Sequence, residues 1–117
     1  MPTVSVIIPT YNRQKLLRQA LASVLQQTYK DLEVIIVDSS SCKRTHLNNA
    51  KTLHLDNRVR YAYKEENRGV AVARNDGIRM ASGRYVAFLD DDDVWLPQKV
   101  EKQVQFWCSF EFTAYHI

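Results

Sequence analysis

Two apolar runs do most to limit what this chain can become. TVSVIIP (3–9) and LEVIIVD (32–38) are rich in β-branched residues and almost without polar interruption. A strand on an open antiparallel sheet alternates apolar and polar positions, whereas a strand covered on both faces reads as a near-continuous apolar run. Both runs therefore predict strands inside a parallel sheet. Between them Leu16, Leu17, Ala20, Leu21, Val24 and Leu25 recur at helical spacing, which predicts a helix over about 14–27. The same alternation continues. VRYAY (59–63) reads as a strand, and a helix begins at Gly69 and is ended by Gly83. RYVAFLD (84–90) reads as a fourth strand, and a last helix covers 98–110 behind Pro97. The polar stretch 39–49 reads as a loop holding at most a short helix. Alternating strands and helices imply an α/β fold with a mainly parallel sheet.

A sheet of this kind gathers its strand C-termini on one edge, and ligands sit beyond that edge. Thr10, Tyr11, Asn12 and Arg13 follow the first strand, Asp38 and Ser39 end the second, and Asp90, Asp91, Asp92 and Asp93 follow the fourth. Three segments thus converge, and two of them deliver carboxylates. Four consecutive aspartates repel one another unless water screens them or a cation sits among them. One reading is a solvated acidic turn that caps the next helix. The other is an oxygen-rich site for a hard divalent cation, Mg²⁺ or Mn²⁺, with Asp90 and Asp92 presenting carboxylates in a D-x-D arrangement.

The remaining candidates carry paired readings. Asp38 either touches a ribose or base or caps a turn, and Tyr11 either stacks on a base or fills space beside its strand. Arg68 and Arg74 either meet phosphates or are solvated, and Gly69 either admits a ligand closely or starts a helix. Trp95 serves as core, as a sugar platform, or as both. No GxGxxG and no GxxxxGK[ST] is present, which argues against dinucleotide and P-loop chemistry.

Of 117 residues, 45% are hydrophobic and 25% charged, with a net charge of +3. The chain is long enough for one domain with a core, and its basic residues are dispersed, so nucleic acid is not an expected partner. Cys42 and Cys108 form no metal-ligand spacing and fit a reduced compartment. The beginning of the chain lacks a long apolar segment. A cytoplasmic location is expected, with association at the inner face of the membrane left open.

Taken in order, VSVIIPTYNR (4–13), LASVLQQTYKDLEVIIVDSSS (21–41) and NRGVAVARNDGIRMASGRYVAFLDDDDVWLP (67–97) resemble the family 2 glycosyltransferases of the GT-A fold. The similarity runs over residues 3 to 107. It implies a nucleotide diphosphate sugar as donor, commonly a uridine one, and transfer with inversion to a saccharide or lipid-linked acceptor. It also implies a divalent ion, Mn²⁺ or Mg²⁺, and a setting in bacterial polysaccharide synthesis. By the resemblance, Pro9, Thr10, Tyr11 and Arg13 belong to the nucleotide site with Asp38, Ser39, Gly69, Arg74, Asp90 and Asp91. Pro9 and Tyr11 lie by the base and Asp38 near the base or ribose. Asp91 lies near the ribose or diphosphate, and Asp92, with Asp90, holds the metal.

Two departures stand out. The family's usual V-D-D-G-S reads Val37-Asp38-Ser39-Ser40-Ser41, so a serine replaces the second aspartate. Family members also continue well beyond this length. One domain over 1–117 is expected, the nucleotide-binding half alone, with the acceptor-binding half and the catalytic base outside it. A non-catalytic nucleotide- and metal-binding fragment is the competing reading. A nucleotidyltransferase would carry a Gly-rich basic loop after the first strand, and a phospho-receiver domain an acidic pair there; PTYNR is neither. Phe106, Trp107, Phe110, Phe112 and Tyr115 make an aromatic tail through which a homo-oligomer is expected.

Overall fold

In the computed structural model, which describes residues 2–41 and 56–108, the first apolar run forms β1 over Val4–Thr10, buried at every position. Helix α1 covers Gln14–Leu25 and β2 covers Leu32–Asp38, also buried throughout. Then come β3 (Val59–Tyr63), α2 (Val70–Met80), β4 (Tyr85–Phe88) and α3 (Lys99–Cys108). The strands form one sheet in the order β3-β2-β1-β4, and every pairing is parallel. Both edges of β1 are paired: Val4 faces Leu32 on one side and Tyr85 on the other.

Helices cover both faces. Alternate β1 residues Val4, Val6 and Ile8 join Val34, Ile36, Tyr85 and Ala87 in a core with Leu17, Ala20 and Val24 of α1 and Val100 and Val104 of α3. Ile7, Ile35 and Val37 point the other way and pack with Ala73 of α2. This two-sided cover explains why the β1 and β2 sequences are unbroken apolar runs.

The expected element ends move at several places. Helix α1 stops at Leu25, and the buried Gln27 then turns inward: its amide donates to the Leu96 carbonyl (2.8 Å) and its carbonyl accepts from Val100 N–H (3.0 Å). A residue assigned to a helix end is thus a buried connector between α1 and the start of α3. Gly83 is not the stop of α2, which ends at Met80. A Cβ on Gly83 would lie 2.7 Å from the Ser5 backbone nitrogen, so glycine is required there by close approach to β1. β4 is shorter than expected, ending at Phe88. Residues 42–55 and 109–117 lie outside the described residues, and with them a short helix in 39–49, Cys42 and the tail aromatics Phe110, Phe112 and Tyr115. The side chain of Trp107 does so too. Among the described residues no helix is long and apolar enough to cross a membrane.

Two charged or tight contacts position α2. Gly77 faces Ile7 so closely that a Cβ would come within 2.5 Å of Ile7 Cγ2. At the helix's C-terminal end the buried Glu33 accepts hydrogen bonds from Ser5 Oγ (2.6 Å), Ser82 N–H (2.7 Å) and Ser82 Oγ (2.8 Å), and pairs with Arg60 at 3.2 Å. Burial works to raise the Glu33 pKa, but the bonds from Ser5, Ser82 and Arg60 together outweigh it and hold it below the ordinary value of 4.5.

Because the folded pKa is the lower one, the stabilisation by Glu33 is complete above the unfolded value and is lost as pH falls through the folded one. Glu33→Gln is expected to destabilise by about 1–3 kcal/mol at pH 7. The gap to wild type should narrow below pH 4.5, as read from urea midpoints across that range. Gly77→Ala gains about 1 kcal/mol of helix propensity but overpacks a stiff, fully buried isoleucine at a cost of about 1–3 kcal/mol. A net loss of stability is therefore expected in the same assay.

Candidate functional site

The strand order places a reversal beside β1. The chain builds outward from β1 through β2 to β3, and α2 then carries it back across the sheet to β4 on the other side of β1. The carboxyl ends of β1 and β4 border the crevice where open α/β sheets bind ligands. Here it is a cleft of ≈ 380 Å³, a size suited to a small-molecule site.

Pro9, Thr10, Tyr11 and Arg13 come to this cleft from the end of β1, Ser39 from the end of β2, and Asp90, Asp91 and Asp92 from the end of β4. Gly69 closes it at the start of α2. Nine of the expected site residues thus share one cavity. Asn67, Val70 and Ala73 also line it and were not anticipated. Their signal was the N-R-G triplet: Asn67 Oδ1 accepts the Gly69 N–H (3.2 Å), an Asx turn that leads the chain into α2. Gly69 has φ +97° and open space where a Cβ would stand, so its conformation requires glycine.

The aspartates differ in their surroundings. Asp91 is buried, accepts from Thr10 Oγ1 at 2.8 Å and meets Arg13 Nη1 at 3.4 Å. Asp92 is half-exposed and pairs with the same Arg13 nitrogen at 3.1 Å. Asp90 pairs with Arg74 Nη2 at 3.0 Å. Asp90, Asp92 and Asp93 each offer a carboxylate oxygen within 4.8 Å of the others. Hard oxygen donors so spaced on an exposed turn fit a divalent cation of the Mg²⁺ or Mn²⁺ type.

Two expected residues stand apart from the main cleft. Asp38 is fully buried, and its carboxylate accepts from Ser40 N–H (2.9 Å) and from Tyr61 Oη; Ser39 is the residue of that pair that lines the cleft. Arg74 lines a neighbouring cleft with Asp90 and Trp95, its guanidinium 5.8 Å from the Phe88 ring centre, and is not simply solvated. Arg68 lines a third cleft, which shares Ser39, Gly69 and Ala73 with the first.

The PTYN turn is held from the β2 side. Asn12 sits in the left-handed region at φ 53°, tolerated by asparagine better than by most residues. Its N–H donates to Ser40 Oγ (2.9 Å), and its side-chain amide exchanges bonds with Ser41 Oγ and N–H (both 3.2 Å). Ser40 and Ser41, the two residues after Ser39, therefore fasten the turn carrying Tyr11 and Arg13.

Comparison with known proteins gives a consistent result. The family described as Glycosyl transferase family 2 matches residues 5–115. TuaG of Bacillus subtilis, assigned to teichuronic acid biosynthesis, is 44% identical over 120 residues, 99% of this chain and 48% of TuaG. The Escherichia coli UDP-Glc:alpha-D-GlcNAc-diphosphoundecaprenol beta-1,3-glucosyltransferase WfgD is 37% identical, over 97% of this chain and 46% of its own. The chain thus spans about half the length of these relatives. Among solved structures, Staphylococcus aureus TarS 1-349 in complex with UDP-GlcNAc superposes with a TM-score of 0.82 at 26% identity, covering 92% of this chain and 31% of that one. The mannosyltransferase PcManGT of Pyrobaculum calidifontis, in complex with GDP-Man and Mn²⁺, gives 0.79 at 30% identity, over 92% and 32%.

The Thr10–Asp91 bond joins β1 to the aspartate turn at a buried carboxylate. Thr10→Val keeps the shape and removes the donor, so it should cost about 1–3 kcal/mol, read from urea midpoints at pH 7. Thr10→Ser should stay close to wild type.

Proposed function

The chain belongs to glycosyl transferase family 2, and from that premise we propose that its cleft holds a nucleoside diphosphate sugar for transfer, with inversion, to a saccharide or lipid-linked acceptor. The observation that carries this reading is the meeting of the β1 end and the aspartate turn in one cleft. Pro9 and Tyr11, the latter 44% exposed, offer an apolar and aromatic wall for the base. The Ser39 hydroxyl offers a hydrogen bond to the base or ribose, with Asp38 behind it shaping the strand end. Arg13 and the amino end of α2 at Gly69 and Val70 face the space where a diphosphate would sit, and both favour an anion.

Asp92 and Asp90 are the proposed metal ligands, with Asp93 within reach. When bound, a divalent ion supplies charge neutralisation for the departing diphosphate. Asp91 stays a structural carboxylate, fixed by Thr10 and Arg13, and presents the turn to the ligand. The three carboxylates lining the cleft are all engaged by Thr10, Arg13 or Arg74, so none is assigned as the base that deprotonates the acceptor. The neighbours carry both a uridine and a guanosine donor, and a uridine diphosphate sugar is the donor proposed here. The nucleotide-binding unit is proposed as a single domain over the described strands and helices.

Calorimetric titration of UDP with Mn²⁺ present is expected to show binding that EDTA abolishes. Asp92→Ala, at a half-exposed position, should weaken it at least about tenfold with the fold intact, since loss of even an outer-shell partner typically costs a metal site about that much. Failure of both UDP and GDP to bind the folded protein would overturn the reading. Binding without turnover of any nucleotide sugar would favour the non-catalytic alternative.

A further inference from the structure

Of the three carboxylates that converge on the exposed turn, two are already occupied by the chain's own cations. Asp92 Oδ2 holds Arg13 and Asp90 Oδ1 holds Arg74. A divalent ion placed among Asp90, Asp92 and Asp93 would compete with those guanidinium groups for the same oxygens. The two arginines are not equally placed. Arg74 is supported by Phe88 as well as by Asp90. Arg13 has half its side chain in solvent and reaches two carboxylates through one nitrogen. Its backbone is fixed, since its carbonyl accepts the first helical bond of α1 from Leu17 N–H, so only the side chain has to move.

We propose that Arg13 is a place-holding counter-cation for the aspartate turn. Without metal it neutralises Asp91 and Asp92. A divalent ion takes over Asp92, and the released guanidinium, which lines the cleft, turns to the diphosphate. This rests on the nucleotide-sugar reading above and adds a positioning role. Ion pairs half in water are weak, so the exchange costs little. Arg13 thereby couples the two ligands. Metal alone takes Asp92 from Arg13 and leaves it only the longer contact to Asp91, whereas metal arriving with a diphosphate gives it a new partner. Metal and nucleotide should therefore bind with positive cooperativity.

The test measures Mn²⁺ binding through the spectroscopic signal of the free ion, for the full chain with and without UDP or GDP. Arg13→Gln is expected to bind Mn²⁺ alone about three- to tenfold more tightly than wild type. The tightening that nucleotide confers should shrink correspondingly. The metal-free variant should melt at a lower temperature than wild type, and Mn²⁺ should restore it. Arg13→Lys, which keeps the charge and perturbs the fold least, should fall between the two. Lys15→Gln removes the same charge from an exposed side chain that has no ion pair among the described residues, and should change Mn²⁺ affinity less than twofold.

Unchanged or weaker Mn²⁺ affinity in Arg13→Gln would overturn the proposal while leaving the donor-site reading intact. Equal effects from Arg13→Gln and Lys15→Gln would overturn it too, since long-range charge would then suffice. Absence of Mn²⁺ binding by wild type under every condition would overturn the metal-site reading and this proposal together.

Discussion

A buried carboxylate just past the edge strand β4, met there by the end of β1, is the constraint to which the rest of the site answers. Asp91 is 7% exposed and lies in the middle of four consecutive acids. Such a group is stable as an anion only if donors meet it there. Thr10 meets it from β1 and Arg13 from the start of α1. β1 cannot shift to a different register, because both of its edges are paired and both of its faces are packed. Thr10 therefore stands at a fixed position, and the aspartate turn takes its place from it. The like charges on either side are then tolerable, since Arg13 and Arg74 stand beside Asp92 and Asp90.

The other wall of the cleft is set from further away. The first turn of α2 borders the cleft, yet the helix is held in its last turn by Gly77 against Ile7 and just beyond its end by Ser82 on Glu33. Both contacts lie on the sheet face opposite α1 and α3. The two faces of the sheet thus have different tasks. One carries the larger apolar core. The other carries a smaller one, completed by a buried charged network just past the end of a single helix.

β1 and β2 were legible as strands of a parallel sheet because burial on both faces leaves runs without alternation, VSVIIP and LEVIIVD. β3 and β4, only partly buried, were read from their β-branched and aromatic residues and their place in the alternation with helices. The converging strand ends were legible for a related reason, since topology alone sends Thr10 and Asp90 to one edge. What was not legible depends on contacts between distant segments. Nothing local to Glu33 announces that Ser5, Arg60 and Ser82 will meet it from three other segments. Gly83 looked like a helix stop, and its reason is the backbone of β1 passing close by. Gln27 looked like the last residue of a helix and is a buried connector to α3. Asp38 and Ser39 are neighbours whose division of labour appears only once Tyr61 and Ser40 claim the carboxylate.

Gln27 also bears on how the aspartate turn can respond to what it meets. The chain from Asp91 to Val100 is moored at two places, at its start by Thr10 and at its finish by Gln27 through Leu96 and Val100 and by Thr28 on the Pro97 carbonyl (2.9 Å). Trp95 adds a third mooring, its N–H donating to Ser23 Oγ at 3.1 Å. Only Asp92, Asp93 and Val94 hang between the first and the third. A span that short has little slack. An ion that needs a wide, many-oxygen shell would have to stretch it, whereas a small ion content with one or two carboxylates would not. The selectivity of the turn for ion size would then reside just past α1, in Gln27, an uncharged residue outside the acidic turn.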